Sequence, residues 1–109
     1  MAWIHRLAGA VQSDPRLPAG VVLRRGTWIP ALGGRLCGMS GPAAAVTLGS
    51  TIVVHPAAAV DDRLLRHELV HVRQWHSRPF TFPLRYLAGH IRHGYRNNPY
   101  EVEARAAEG

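Results

Sequence analysis

The sequence contains no lysine. All thirteen basic residues are arginine, and with only seven aspartates and glutamates the net charge is +6. Such a surface could attract phosphate, nucleic acid or anionic lipid. However, no block of five or more arginines occurs. A preference for arginine over lysine, together with abundant alanine and glycine, is explained by the composition of the coding sequence. The charge alone therefore does not predict a nucleic-acid partner.

Cysteine is nearly absent. Cys37 is the single cysteine, which excludes an intrachain disulfide and a cysteine-rich structural zinc site. Any metal must therefore be held by histidines and carboxylates, and the chain has seven histidines to offer.

Long apolar runs are missing as well. Residues 36–60 contain no Asp, Glu or Arg, but Gly, Pro, Ser and Thr interrupt them, and their most apolar part, TIVV, is short. A spanning helix needs about twenty predominantly apolar residues. The N-terminal residues 1–16 also lack the uninterrupted apolar region of a signal peptide. We expect no membrane span and a cytoplasmic location.

The order of the predicted elements indicates the fold class. At 109 residues the chain is long enough for one small core, and strand patterns precede helix patterns, which predicts a single α+β domain. In chain order we predict an N-terminal arm at 1–19, a strand region at 20–55, a helix at 61–77 and two C-terminal helices within 79–109.

Two segments of the strand region are rich in β-branched residues. VVLRRGTWI (21–29) predicts a strand that Pro30 ends, and 31–42 then reads as a loop. AVTLGSTIVVH (45–55) predicts either one strand or a hairpin broken at Gly49-Ser50.

Two helix starts have recognisable caps. Asp61 or Asp62 can accept hydrogen bonds from the free N–H groups of the first turn of the helix at 61–77. Asn98 followed by Pro99 predicts the start of the last helix.

The sequence His67-Glu68-Leu69-Val70-His71 (67–71) lies on the predicted helix at 61–77. His67 and His71 are four residues apart, so both imidazoles project from one side and can reach one metal ion. Zinc takes nitrogen ligands of this kind at about 2.0–2.1 Å. The alternative is a pair of satisfied core histidines, but polar groups on a helix that is apolar on most sides need partners. A metal supplies them.

Glu68 lies beside the two histidines rather than in line with them, roughly 100° around the helix from His67. There it cannot easily ligate the metal, but it can accept a proton from water that the metal activates. This division of roles predicts Glu68 as a general base.

A catalytic zinc needs a third protein ligand as well as an open position. The carboxylates outside the motif are few: Asp14, Asp61, Asp62, Glu101, Glu103 and Glu108. Glu101 and Glu103 lie together on the last predicted helix, about thirty residues after His71.

Two segments carry a family resemblance: HELVHVRQ at 67–74 and NPYEVEA at 98–104. Their order resembles the gluzincin-type zinc metallopeptidases, especially small bacterial predicted peptidases with HExxHxxQ followed by NPxExEA. The likeness covers about 45–108, because AVTLGSTIVVH is similar to the edge strand that these enzymes place above the active-site helix. HExxH is specific at the superfamily level, whereas ExEA is informative only in this order.

The resemblance implies a minimal zincin-like domain, with a small antiparallel or mixed sheet packed on the active-site helix and two further C-terminal helices. It implies Zn²⁺ held by His67, His71 and Glu101, with Glu68 as the general base. Gluzincins often carry an aspartate four residues after the ligand glutamate, where it supports a ligand histidine. This chain has Arg105 there, so that support must differ.

Glu103 is the alternative third ligand. Asn98 and Glu101 have the spacing of a capping box, in which the glutamate reaches back to the amide of the capping residue. If that capping box forms, Glu101 is occupied and Glu103 becomes the candidate for the third metal ligand.

Peptide hydrolysis also builds negative charge on the carbonyl oxygen, and a donor besides zinc usually stabilises it. Four residues near the ligand helix are candidates, and spacing does not choose among them: Tyr95, Tyr100, His90 and His93. We interpret Tyr86, Leu87 and Ile91 as core residues; the alternative for His90 and His93 is a solvated helix face.

The predicted function is zinc-dependent hydrolysis of a peptide or protein substrate, held in extended form by an edge strand near 46–54. One alternative is a non-catalytic zinc-binding or interaction module of the same fold. Another is a nucleic-acid-binding protein in which RYLAGHIRHGYR (85–96) contacts phosphates and bases. Charge runs of this kind are usually solvated helix faces, so we expect no nucleic-acid partner.

Overall fold

The computed structural model describes residues 9–36 and 43–109. Within these residues, four strands and four helices form an α+β architecture, which confirms the predicted fold class. In chain order they are β1 (Ala10–Gln12), β2 (Val22–Arg25), α1 (Trp28–Leu36), β3 (Ala45–Leu48), β4 (Thr51–Val54), α2 (Asp62–Ser77), α3 (Phe82–Asn97) and α4 (Pro99–Ala106).

The four strands form one mixed sheet in the order β1-β2-β4-β3. β4 pairs in parallel with β2 and antiparallel with β3, and β1 pairs antiparallel with β2. The segment 45–55 is therefore a hairpin, turning at Gly49-Ser50. Gly49 has φ 62°, a left-handed conformation that glycine adopts without steric cost. Within this hairpin only β3 is an edge strand, shorter than the predicted 46–54, because β4 has a neighbour on both sides; β1 forms the other edge of the sheet.

The core lies between this sheet and α2. Leu23 on β2, Ile52 and Val54 on β4, and Val72 on α2 form its buried cluster. Val53 is also completely buried, so β4 is covered on both faces. This explains why TIVV is continuously apolar instead of alternating.

The first predicted strand and the loop after it are wrong in part. β2 ends at Arg25, and α1 occupies much of the segment read as a loop. Pro30 is the third residue of α1, where its missing N–H costs nothing. Gly33 lets α1 lie close to β3, since a Cβ there would meet Val46 Cγ2 at 2.6 Å. The proline and glycine thus belong to a packed helix. β1 also places a strand inside the predicted arm at 1–19.

The two predicted helix starts are confirmed. Asp61 caps α2 by accepting a hydrogen bond from Leu64 N at 2.9 Å. Asn98 caps α4 by accepting from Tyr100 N at 3.1 Å. Among the described residues, no helix combines the length and the apolar character that crossing a bilayer requires.

A tight contact joins α3 to α4. Asn98 is completely buried, and its Nδ2 donates to the carbonyl of Tyr86 at 3.1 Å. The side chain lies against Gly89, where a Cβ would meet Asn98 Oδ1 at 2.6 Å. Between Gly89 and Asn98, α3 is interrupted at Gly94, whose φ of 77° and ψ of 169° are not helical. The break and the contact together set where α4 begins.

Candidate metal centre

Helices α2 and α4 face each other and bring together His67, His71 and Glu101. One donor atom from each lies within 4.8 Å of the other two, so the group could hold a metal ion. His67 Nε2 is 3.0 Å from Glu101 Oε1, and His71 Nε2 is 3.2 Å from Glu101 Oε2. Ligand atoms around a tetrahedral ion with bonds of about 2.0–2.1 Å lie roughly 3.3 Å apart. The two nitrogens contact different oxygens of Glu101, so it is the donor set, two imidazoles and a carboxylate, that fits a metal such as zinc.

The outward nitrogen of His67 contacts a carboxylate that the sequence did not single out. His67 Nδ1 lies 2.7 Å from Glu108 Oε2, and this hydrogen bond lowers the pKa of Glu108. An ionised carboxylate only accepts, so Nδ1 carries a proton and donates it to Glu108, while Nε2 faces the site. Arg63 contacts the same carboxylate at 2.9 Å. Glu108 thus supplies the support that Arg105 does not.

His71 is oriented by the glutamine of the HExxHxxQ segment. His71 Nδ1 donates to Gln74 Oε1 at 2.8 Å, and Gln74 Nε2 donates to Glu103 Oε1 at 2.7 Å and to the Tyr100 carbonyl at 3.1 Å. Because the amide nitrogen of Gln74 is used for donation, its oxygen accepts, so Nδ1 of His71 carries a proton. Gln74 therefore lies between Glu103 and His71, and the structure does not bring Glu103 to the candidate metal-binding group.

The capping box considered for Asn98 and Glu101 does not form. The Glu101 carboxylate points to the two histidines, and its Oε2 accepts a hydrogen bond from the Tyr86 hydroxyl at 2.6 Å. Asn98 N donates instead to the Tyr95 carbonyl at 3.3 Å. Tyr86 is partly buried and packs its ring on Phe82, but its hydroxyl also holds the Glu101 carboxylate. Sequence spacing carried no signal for this role.

Glu68 is buried beside the triad but outside it. Its Oε2 is 3.8 Å from His67 Nε2, and its Oε1 accepts from Thr47 Oγ1 at 2.9 Å. Thr47 belongs to edge strand β3, and its carbonyl accepts from Trp75 Nε1 at 3.1 Å. The edge strand is therefore tied both to α2 and to the carboxylate predicted as a base.

The contacts of this group shift its pKa values. Burial disfavours the charged histidines, but the nearby carboxylates, Glu101 first and then Glu68 and Glu108, outweigh it at His67, so its pKa rises to about 9. The pKa of His71 is also raised, by Glu101 and Glu68 against its burial. Burial acts to raise the pKa of Glu101, yet the two histidines hold it well below its usual range. The pKa of Glu68 is raised by its own burial.

Two adjoining clefts open at the candidate centre. The first, of about 360 Å³, is mostly apolar. Its apolar lining includes Val46, Leu48, Trp75, Phe82 and Pro83. The second, of about 450 Å³, has polar side chains from Asp61, Arg63 and Glu108. Both clefts include His67 and Glu68, the first runs along β3 and the second reaches its first residue, Ala45, so the candidate centre lies between an apolar cleft and a polar cleft.

Of the four residues predicted as hydrogen-bond donors to the substrate carbonyl oxygen, Tyr95 lines both clefts. The left-handed Gly94 just before it redirects the chain at that point. Tyr100 packs its ring on Phe82, with centroids 5.2 Å apart. The other three, Tyr100, His90 and His93, line neither of these two clefts.

Comparison with known protein families gives one match. Residues 38–79 match the family model of the eCIS core domain. This segment covers less than half of the chain; it includes β3, β4 and α2, and hence His67, Glu68 and His71, but ends before Glu101. The description of that family specifies neither a metal nor a reaction. Comparison with curated proteins and with solved structures gives no match.

Proposed function

We propose that this protein is a zinc-dependent metallopeptidase, with His67, His71 and Glu101 as the metal ligands and Glu68 as the general base. The observation that carries the proposal is the meeting of three donors from two helices beside a separate buried carboxylate. A site built only to hold zinc would not need that fourth residue in a cleft. The resemblance of 67–74 and 98–104 to gluzincins supports the same assignment.

Zinc, when bound, supplies Lewis acidity that polarises water and the substrate carbonyl. Glu68 takes the proton from the attacking water and returns it to the leaving amide nitrogen. Thr47 holds the carboxylate in place for both transfers. Tyr95, which lines both clefts, is the donor that we assign to the developing negative charge on the carbonyl oxygen.

The substrate is proposed to lie extended along β3. Ala44 O accepts from His55 N at 2.8 Å, so its carbonyl faces β4. Backbone groups alternate along a strand, so those of Ala45 and Thr47 face the other way, towards the clefts. The Thr47 carbonyl is already bonded to Trp75. Ala45 is therefore the residue best placed to pair with a peptide strand.

The test is a comparison of the wild-type protein with Glu68→Gln. Both should bind about one zinc ion per chain, because Glu68 is not a ligand in this assignment. Only the wild type should cleave an unstructured protein substrate, since the amide cannot accept a proton; the loss should be at least about 100-fold. Zinc content is measured by elemental analysis and cleavage by mass spectrometry.

Two outcomes would revise the assignment in different ways. If neither protein cleaves a broad peptide library but both bind zinc, the non-catalytic zinc module is the better description. If His67→Ala and Glu101→Ala leave the zinc content unchanged, the metal centre itself is wrong. Glu103→Ala is the matched control, and it should retain zinc because Glu103 lies outside the triad.

A further inference from the structure

Helix α3 has apolar side chains on two opposite faces. Phe82 packs inward, among the aromatic rings near the candidate centre. On the other side Leu84, Leu87 and Ile91 are 69%, 52% and 74% exposed. The core packing predicted for Leu87 and Ile91 is therefore wrong, because this side of α3 has no element packed on it within the described residues. Their spacing of three and four residues places them in one row along the helix. Just before α3, Phe80 is 92% exposed.

Unpaired positive charge surrounds this row. The segment 77–100 contains four arginines and no aspartate or glutamate. The four are Arg78, Arg85, Arg92 and Arg96, all exposed. Within the described residues none of them makes a salt bridge, in contrast to Arg16 and Arg63, which contact carboxylates. Arg85 and Arg92 are seven residues apart, so they lie along one border of the row.

We propose that this outer face of α3 docks on the surface of an anionic lipid bilayer. Leu84, Leu87 and Ile91 would enter the boundary between head groups and acyl chains, while Arg85 and Arg92 contact lipid phosphates. Exposed rows of large apolar residues in a folded domain mark interaction sites. Apolar side chains bordered by arginine are the composition of helices that lie in a membrane interface. The face binds to the membrane surface and does not cross it.

The shape and chemistry of the row favour lipid over a macromolecular partner. A partner helix docks in a groove between elements, whereas this row lies on the outward, convex side of one helix. A nucleic-acid backbone would pair with the arginines but would leave the leucines and the isoleucine in water. A bilayer surface accepts a convex apolar ridge and supplies many phosphates at once.

The docking face borders the candidate centre. Pro83 and Tyr86, on the same helix, line the apolar cleft. Docking would therefore bring the cleft close to the lipid surface, where membrane-associated polypeptides lie. The docking itself does not depend on metal or on catalysis, so it can be tested separately from the proposed peptidase activity.

The experiment is co-sedimentation of the full chain with vesicles. One set contains phosphatidylcholine with about 30% phosphatidylglycerol, and the other contains phosphatidylcholine alone. We expect binding to the anionic set that weakens as salt increases. Leu84→Gln/Leu87→Gln/Ile91→Gln and Arg85→Gln/Arg92→Gln should each lower the partition coefficient by about tenfold or more, because acyl burial and phosphate contacts both contribute.

Control variants distinguish binding through this face of α3 from nonspecific attraction of the whole protein to the vesicles. Arg35→Gln/Arg73→Gln removes the same charge at other exposed sites, and Val11→Gln/Val102→Gln removes exposed apolar groups elsewhere. Each control should change partitioning by less than about threefold, since only nonspecific attraction is reduced. Circular dichroism of every variant establishes that it is folded.

Four outcomes would overturn the proposal. The first is no sedimentation with either vesicle set, and the second is equal binding to both sets. The third is a loss in the control pairs as large as in the α3 variants. The fourth is a concentration-dependent dimer, or binding to nucleic acid, that the α3 substitutions abolish while vesicle binding is absent. In the last case the face belongs to that other partner.

Discussion

His67 uses both of its ring nitrogens. Nε2 faces Glu101 and Nδ1 contacts Glu108, so one imidazole joins the candidate ligand set to a carboxylate outside it. Such outer contacts fix the tautomer and the ring orientation of a metal-binding histidine and raise its basicity. Glu108 lies beyond the last turn of α4 and close to Arg63, so its position depends on α2 as much as on its own neighbours.

Replacing that outer carboxylate should weaken metal binding without removing a ligand. For Glu108→Ala we expect zinc affinity to fall about 10–100-fold, because the ring of His67 loses its orienting acceptor. Competition with a chromophoric chelator measures the affinity. Asp62→Ala, which removes an exposed carboxylate away from the site, should bind zinc as the wild type does. Equal affinities in wild type and Glu108→Ala would contradict the assigned role.

Tyr95 is the residue to test for stabilisation of the carbonyl oxygen. Tyr95→Phe should reduce kcat by about 100-fold, since one donor to the developing charge is lost. Zinc affinity should be unchanged, because the hydroxyl is not part of the ligand set. Tyr100→Phe is the matched control, as its ring packs on Phe82. The assignment fails if both variants lose activity equally, or if neither does.

At the scale of elements, the α3–α4 contact decides where Glu101 is held. Asn98 caps α4, bonds to α3 and lies against Gly89. Glu101 is three residues further along, in the first turn of α4, where a carboxylate is also favoured by the helix dipole. A displacement of Asn98 would therefore move the third candidate ligand.

Gly89→Ala tests this arrangement. An alanine within a helix usually stabilises it by about 0.5–1 kcal/mol relative to glycine. Here the added Cβ would displace Asn98 and break its two hydrogen bonds, each worth about 1 kcal/mol. We expect net destabilisation of about 1–2 kcal/mol and zinc affinity lower by roughly tenfold, measured by denaturant unfolding and chelator competition.

Ala88→Gly provides the comparison for that substitution. Ala88 is an exposed neighbour on α3, so the change should cost about 1 kcal/mol of helix propensity and leave zinc affinity as it was. If Gly89→Ala proves more stable than the wild type, the contact with Asn98 does not constrain the helices.

At the scale of the whole molecule, pH links stability to metal binding. In the metal-free protein the pKa of His67 is raised from 6.5 to about 9. Its pairing with Glu101 therefore stabilises the fold fully below pH 6.5 and is lost as pH rises towards 9. The lowered pKa of Glu101 adds stability that is present above its ordinary value of 4.5 and lost as pH falls.

Zinc bound at the proposed centre would reverse the alkaline part of this dependence. Zinc binds the neutral form of each histidine, so fewer protons compete with the ion as the pH rises. At a fixed, buffered concentration of free zinc, we expect the difference in Tm between zinc-loaded and metal-free protein to increase from about pH 6 to about pH 8. Differential scanning calorimetry measures it. A constant difference would contradict His67 and His71 as ligands, and His67→Ala should show little difference at either pH.

Features of this protein that depend on neighbouring residues were predictable from the sequence. The limits of α2, the pairing of His67 with His71 and the start of α4 follow from periodicity, i to i+4 spacing and capping. The same holds for the α+β order. These interactions span a few residues, so they can be recognised in the sequence without knowledge of distant contacts.

Contacts between distant segments could be decided only by the tertiary structure. Sequence spacing left Glu101 and Glu103 as alternatives, and the facing of α2 and α4 put one beside the histidines and the other behind Gln74. The roles of Glu108 and Tyr86 had no local pattern, because each contact joins residues that are far apart in the chain. Likewise, Pro30 was read as the end of a strand, whereas the packing of α1 on β3 makes it part of a helix.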